Sequence, residues 1–229
     1  MTRFARYGIY WMPKAGSALD TFGAAWFGRD AQAIPRARLV VEGLDPAQVA
    51  EITATPQRYG FHGTLKPPFR LAEGTDQGGL EDAIASFAHG RAAFGIGKLE
   101  LRRLGGFLAL VPGGPQPDLS RLAADVVTRL DGFRAPPAQA ELDRRRANGL
   151  TARQEALLGQ WGYPFVMDEF RFHLTLTGRL EGDRLDRTQA ALESVVATAI
   201  ADPVHIDQIC LVGEREDGVF QLLQRFPLS

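Results

Sequence analysis

Cysteine is almost absent from this 229-residue chain, which carries Cys210 alone. One thiol excludes an intramolecular disulfide and a cysteine-rich zinc site. Its apolar surroundings predict a packed small side chain rather than a reactive group. An excess of either charge is missing too: 26 Lys plus Arg face 27 Asp plus Glu, so no global positive field exists to hold a long nucleic acid by counterion release. No apolar run reaches the roughly 18 residues that a membrane span requires, and the stretch from Met1 to Met12 has no long apolar core with a small-residue cleavage site. These absences predict a soluble, cytoplasmic chain with neither a membrane nor a long nucleic acid as partner. Histidine is scarce as well, at four residues. What is present is 45% hydrophobic residues, enough for a sizeable core in one large domain or two closely packed lobes.

Two of the four histidines sit in one repeated pattern. His62-Gly63-Thr64-Leu65 and His173-Leu174-Thr175-Leu176 both read His-x-Thr-Leu. A shuffled sequence of this composition would show such a pair in roughly two of ten thousand cases, which separates the pattern from ordinary short-motif coincidence.

The order of elements around the two motifs is similar. Tyr7 to Met12 is expected as a strand, Ser17 to Phe27 as a helix, Arg38 to Val41 as a short strand and Pro46 to Ala54 as a short helix. Gln57 to Leu65 leads into the first motif and is cut off by Pro67-Pro68. A helix over Leu80 to Ala88 follows, then strands at Gly97 to Leu104 and Phe107 to Val111 about the Gly105-Gly106 turn. In the second half, Phe170 to Thr177 carries the motif. Leu185 to Ile200 is a helix, and Val204 to Val212 and Val219 to Phe226 are strands joined through Glu216-Asp217-Gly218. Motif strand, helix and hairpin thus recur. Between them lie an amphipathic helix at Leu119 to Leu130 and a polar, Arg-rich helical stretch from Ala138 to Trp161, broken near Asn148-Gly149. We divide a single bilobal domain, 1–229, into lobe one at roughly 1–115, lobe two at roughly 162–229 and a helical insertion at roughly 116–161.

Strand parity turns each tetrapeptide into half of a site. Side chains alternate along a strand, so His62 with Thr64, and His173 with Thr175, share a face while the leucines and phenylalanines turn to the other. Two facing halves supply two imidazoles able to divide general-base and general-acid duties, and two hydroxyls able to donate to phosphoryl oxygens. That inventory suits phosphodiester cleavage. It calls for neither metal nor cofactor: His89 and His205 lie outside the motifs, Asp168 and Glu169 show no ligand spacing, and no G-x-S-x-G nucleophile context is present. Gly95-Ile96-Gly97 lacks the rest of a dinucleotide loop.

The stretches Tyr59-Gly60-Phe61-His62-Gly63-Thr64-Leu65-Lys66-Pro67-Pro68-Phe69 and Asp168-Glu169-Phe170-Arg171-Phe172-His173-Leu174-Thr175-Leu176-Thr177-Gly178 resemble the paired motifs of the 2H phosphoesterase superfamily, which includes 2′-5′ RNA ligase-like proteins and cyclic phosphodiesterases. They are most similar to the branch associated with phosphonate metabolism genes. The resemblance implies an α+β, bilobal fold with two pseudo-symmetric lobes, antiparallel sheets flanking a central cleft, and helices outside. It also implies metal-independent action on cyclic phosphates or 2′-5′ linkages. It assigns His62 and His173 to catalysis, and Thr64 and Thr175 to phosphate binding. A small sugar cyclic phosphate of the phosphonate pathway is the substrate it suggests.

Further candidates to bind substrate are Lys66 and Arg171, cations expected on the histidine faces, and Tyr59 and Tyr163, aromatics able to stack on a sugar or base. Tyr10 and Arg58 are weaker candidates of the same kind. Arg144-Arg145-Arg146 reads first as a solvated helix face, and only second as a phosphate contact. The expected partner is a small phosphorylated molecule, and a monomer suffices. Two alternatives stand: a nucleotide- or RNA-end-binding protein without turnover, and a 2′-5′ RNA ligase or phosphodiesterase, which would need a basic groove.

Overall fold

The computed structural model describes residues 4–147 and 149–229. Its architecture is α+β: a seven-stranded antiparallel sheet with helices, and a small separate pair of strands. The sheet is built from β1 (Tyr7–Trp11), β2 (Gly63–Phe69), β4 (Leu99–Leu104), β5 (Phe107–Pro112), β6 (Leu174–Thr175), β8 (Gln208–Glu214) and β9 (Phe220–Pro227), in the order β4-β5-β6-β2-β1-β8-β9. The strands β3 (Phe94–Gly97) and β7 (Val204–Ile206) pair with each other.

Helices α1 (Ala18–Phe27), α2 (Pro46–Thr53), α3 (Gln77–Ala88), α4 (Pro117–Arg129) and α7 (Gly182–Ala199) send Leu19, Phe22, Trp26, Ile52, Leu80, Ile84, Leu122, Val126, Leu192 and Val196 into one core. That core is shared with Ile9, Leu65, Leu108, Leu110, Leu174, Leu176, Ile209 and Leu211 of the sheet. These sheet residues alternate with others along their strands, so they mark one face, and the other face is left for the site. Caps fix where the helices begin and end. Ser17 accepts from the Asp20 amide at the start of α1, and Gly28, left-handed at φ 70°, closes it.

The strands do not pair in chain order. The hairpin that follows the first motif, β4-β5, flanks the second motif strand β6, and the hairpin that follows the second, β8-β9, flanks β1 beside the first. Lobes cut as 1–115 and 162–229 therefore do not correspond to the two sides of the sheet. The cause is β1: all five of its residues are buried, so it needs a hydrogen-bonded neighbour on each edge, which β2 and β8 provide. The two sheets expected to flank a cleft are one continuous sheet, because Gly63 of β2 pairs directly with Leu174 of β6.

Smaller expectations change as well. The segment 38–41 is not a strand: Val40 is exposed, and Arg38 turns back to donate to the Trp26 carbonyl. The strand β2 runs on through Pro67-Pro68, where a register shift between Ile9 and Tyr7 of β1 spares the amides that proline lacks. The second motif strand is only two residues long, and the run from Val204 to Val212 divides at Asp207 into strands of different sheets. The Arg-rich stretch forms α5 (Gln139–Arg146) and α6 (Ala152–Trp161), with the expected break at Gly149; Asn148, named with it, lies outside the described residues, as do Met1 to Arg3. Among the described residues no helix is long and apolar enough to cross a membrane.

Candidate active site

The motif strands lie side by side at the middle of the sheet, antiparallel, with Gly63 across from Leu174. Carrying that register one residue each way sets Thr64 across from His173 and His62 across from Thr175. Each histidine thus faces the threonine of the other motif. Leu174 is fully buried in the helix-covered core, so alternation turns both histidines and both threonines to the opposite face. There the two imidazoles stand in a diagonal relation, with residues of such a pair about 7–8 Å apart and their Cβ atoms somewhat closer.

The same hydrogen bond orients each ring. His62 Nδ1 lies 2.8 Å from the Gly60 carbonyl oxygen, and His173 Nδ1 lies 2.8 Å from that of Arg171, two residues earlier in both cases. A carbonyl only accepts, so Nδ1 carries the proton in both rings and Nε2 is left for chemistry. His62 Nε2 is 3.0 Å from Thr64 Oγ1, which donates to it while the ring is neutral. Gly60 makes its carbonyl available through a left-handed backbone at φ 80°.

Aromatic walls hold the rings. Tyr10, paired with Thr64 across β1 and β2, stacks on His62 with centroids 3.7 Å apart, and Phe107 lies 5.8 Å from the His173 ring. Tyr10, Met12, Cys210, Val212 and Phe220 form a second buried cluster on this face, and Tyr59 stacks on Phe220 at 5.2 Å. Burial pushes the His62 imidazole down to about 4, with the nearby His173 and Arg29 charges adding to the effect against the Gly60 hydrogen bond. Burial also lowers His173, while the Arg171 carbonyl acts the other way. Cys210 is fully buried and its thiol is pushed up to about 11, as suits a packing residue.

One consequence concerns stability. Both imidazoles bind protons more weakly folded than unfolded, so the unfolded chain gains protons first as the pH falls below 6.5. The contribution of these rings to stability is expected to be whole above pH 6.5 and lost as the pH falls towards about 4. Thermal melts across that window check it: the slope should flatten in the double variant His62→Asn/His173→Asn.

The remaining sequence candidates divide. The Arg171 side chain is exposed beside His173 and has no partner among the described residues. Lys66 is not where strand parity put it for phosphate contact. It is 2% exposed, and its Nζ is held 3.1 Å from both the Val127 carbonyl and the Asp131 carboxylate, which Arg134 also binds. The register shift in β2 turns its side chain to α4, and its charge is already matched. Tyr163 packs against the small cluster of Val127, Leu157 and Val166, with its ring 5.7 Å from that of Phe165. Asp168 and Glu169 are engaged by Arg153 and Gln154, which tie the turn before the second motif to α6. His89 caps the end of α3 and His205 is exposed on β7.

Arg29 was invisible in the sequence. It donates to the carbonyls of Gln57, Phe220, Arg58 and Asp30, at 2.7, 2.9, 3.1 and 3.3 Å, and so clamps the turn that presents Gly60 to His62. A single arginine with no motif around it gives no signal of that role. Among the described residues, no three His, Cys, Asp or Glu side chains are grouped to hold a metal ion. A surface cavity of about 1090 Å³ lies by Tyr7, Arg70 and Gln77 and is lined by no motif histidine.

The molecule is thus an α+β protein with two matched His-Thr pairs at the seam of its sheet. It belongs to the family described as Protein of unknown function (DUF1045), whose model matches residues 64–221 and so takes in Thr64, His173 and Thr175. The chain is also 37% identical over 230 residues to the ribose 1,5-bisphosphate phosphokinase PhnN of Janthinobacterium sp. (strain Marseille), covering 98% of this chain and 51% of the relative. To the protein of the same name from Laribacter hongkongensis (strain HLHK9) it is 36% identical, covering 77% of this chain and 40% of the relative. The chain therefore spans about half of one of these curated relatives and 40% of the other.

Proposed function

We propose that this chain is a 2H-type phosphoesterase that hydrolyses a small cyclic phosphate of ribose or a nucleoside, in phosphonate metabolism. The observation that carries the reading is the matched pair of imidazoles, each pinned through Nδ1 so that Nε2 is the basic nitrogen, that of His62 accepting from Thr64 Oγ1, on adjacent strands with a threonine across from each. A phosphate set between them meets a base on one side and an acid on the other, as in-line displacement requires. One neutral Nε2 takes a proton from water as its oxygen bonds to phosphorus. The ring P–O bond breaks, and the other imidazolium protonates the departing sugar oxygen. A monoester and a free hydroxyl result, and the scheme uses no metal. Thr64, Thr175 and the free guanidinium of Arg171 supply donors to the non-bridging oxygens.

Burial divides the two roles. The His62 ring, lowered to about 4, stays neutral through the working range and is the base; His173 is the acid, and a bound phosphate anion raises its proton affinity. The free-enzyme profile of kcat/KM is expected to be bell-shaped, with its acid limb near about 4 and its alkaline limb below the ordinary histidine value of 6.5. The kcat profile should lie higher, because substrate then fills the site. Initial rates across pH check both statements.

The curated relatives fit this chemistry, since their printed name places ribose 1,5-bisphosphate in their reaction. Opening a 1,2-cyclic phosphate on 5-phosphoribose at the 2-oxygen gives that same compound. A kinase reading of this chain would call for a G-x-x-x-x-G-K-[ST] loop or an equivalent nucleotide cradle. Its Gly97-Lys98 pair runs instead into Leu99 at the start of β4. The deciding experiment is turnover of ribose and nucleoside cyclic phosphates in EDTA, followed by phosphorus NMR. Monoester formation supports the proposal. Tight binding without product would replace it with the nucleotide-binding reading, and selective cleavage or joining of 2′-5′ linked RNA with the RNA-processing one.

A further inference from the structure

The end of α1 is tied to both motifs. Trp26, buried in the last turn of the helix, donates through Nε1 to the Leu176 carbonyl at 2.8 Å, and Leu176 closes the second His-x-Thr-Leu. Three residues on, just past the left-handed Gly28, Arg29 reaches the first. Its Nε donates to the Gln57 carbonyl at 2.7 Å and its Nη2 to that of Arg58 at 3.1 Å. Nη2 also lies against Gly60 itself, since a Cβ built there would stand 3.1 Å from it. The guanidinium therefore braces the backbone that presents the Gly60 carbonyl, 2.8 Å from Nδ1 of His62.

The same group reaches the other support of the ring. Nη1 donates to the Phe220 carbonyl of β9 at 2.9 Å. The Phe220 ring is stacked on Tyr59 and tilted against Tyr10 with 6.4 Å between centroids, and Tyr10 is stacked on His62. One side chain thus joins the turn at the edge of the imidazole to the aromatic wall on its face. A guanidinium suits this work, because its N–H groups spread in a rigid fork, whereas a lysine ammonium offers three donors from one point. All four acceptors of Arg29 are backbone carbonyls. Burial pushes its proton affinity down to about 10, so it stays charged through the neutral range.

We infer that Arg29 is a positioning residue: by bracing residues 57–60 against β9 it holds the Gly60 carbonyl where that oxygen fixes His62 in the Nδ1–H tautomer, with Nε2 left as the basic nitrogen. The inference rests on the reading of His62 as a proton-transfer group, and the experiment below separates the two.

Nitrogen NMR of the histidine rings near neutral pH reports their tautomers without turnover. In the wild type, His62 and His173 should both carry the proton on Nδ1. In Arg29→Met and Arg29→Lys, His62 is expected to become a mixture of tautomers, while His173, held by the Arg171 carbonyl that Arg29 does not brace, keeps its own. General loosening of the fold would not single out one ring. On a cyclic phosphate both variants should lose about ten- to hundredfold in kcat, the effect of misplacing a reacting group by about 1 Å, with KM largely unchanged because Arg29 does not touch the substrate. Arg29→Lys keeps the charge and a long stem but cannot span the turn and β9 together, so it separates the brace from the charge and decides the matter if Arg29→Met does not fold. A wild-type tautomer and kcat in Arg29→Lys, or a lowered melting temperature with the His62 tautomer unchanged, would overturn the inference. If the wild type turns over no cyclic phosphate, the tautomers still decide the role of Arg29, and the hydrolysis reading alone falls.

Discussion

His62→Ala and His173→Ala are each expected to lower kcat/KM on a cyclic phosphate by about 10²- to 10⁴-fold, the range for losing a positioned general acid or base. The fold should survive both changes. The rings sit on the site face of the sheet, away from the helix-covered core, and each makes its ring hydrogen bond to a local carbonyl. The two losses should differ in their pH signature. Without His173, the alkaline limb disappears; without His62, the acid limb does. The double variant should be little worse than the weaker single one, because base and acid act in one step. Rates measured on purified variants with matched melting temperatures check this, and undiminished activity in both would remove the histidines from the mechanism.

The second large effect concerns the residue between histidine and threonine. Gly63→Leu would make the two tetrapeptides identical, and it is expected to destabilise the protein by about 3 kcal/mol, the upper end for overpacking a filled core. A Cβ on Gly63 would lie 2.2 Å from Cε2 and 2.3 Å from Cζ of the Phe172 ring. Phe172 is buried edge-on to Trp11, 5.9 Å between centroids, so the ring has no free space to retreat into. Because Phe172 directly precedes His173, any retreat also drags the second imidazole. In the other motif the equivalent Leu174 fits, since it enters the core between β5 and β2. A melting-temperature drop of about 2–4 °C per kcal/mol is the readout for a chain of this size, with activity falling further than stability alone explains. An unchanged melting temperature would contradict the contact.

The histidines, the threonines and the face they share were legible in the sequence, because alternation along a strand depends only on local backbone geometry. Most helices were legible for the same reason: the apolar spacing and the Ser17 cap of α1 lie within one segment. Lys66 was misjudged because a register shift between β1 and β2, set by packing of two distant segments, undoes simple parity. A run of arginines looks alike in sequence, and only the docking of α5 selects Arg145 as the one that packs over the Tyr163 ring.

By itself, then, the sequence determined the two His-Thr pairs and the face that each pair shares, since residue type and short-range periodicity suffice for both. Tertiary structure alone decided that the halves meet by direct strand pairing, that each hairpin crosses to the other motif, and that Arg29 clamps the turn before His62. Those outcomes depend on contacts between residues far apart in the chain, and burial, which has no local signature, fixes both which neighbours β1 takes and how far the His62 ring is driven from its ordinary proton affinity.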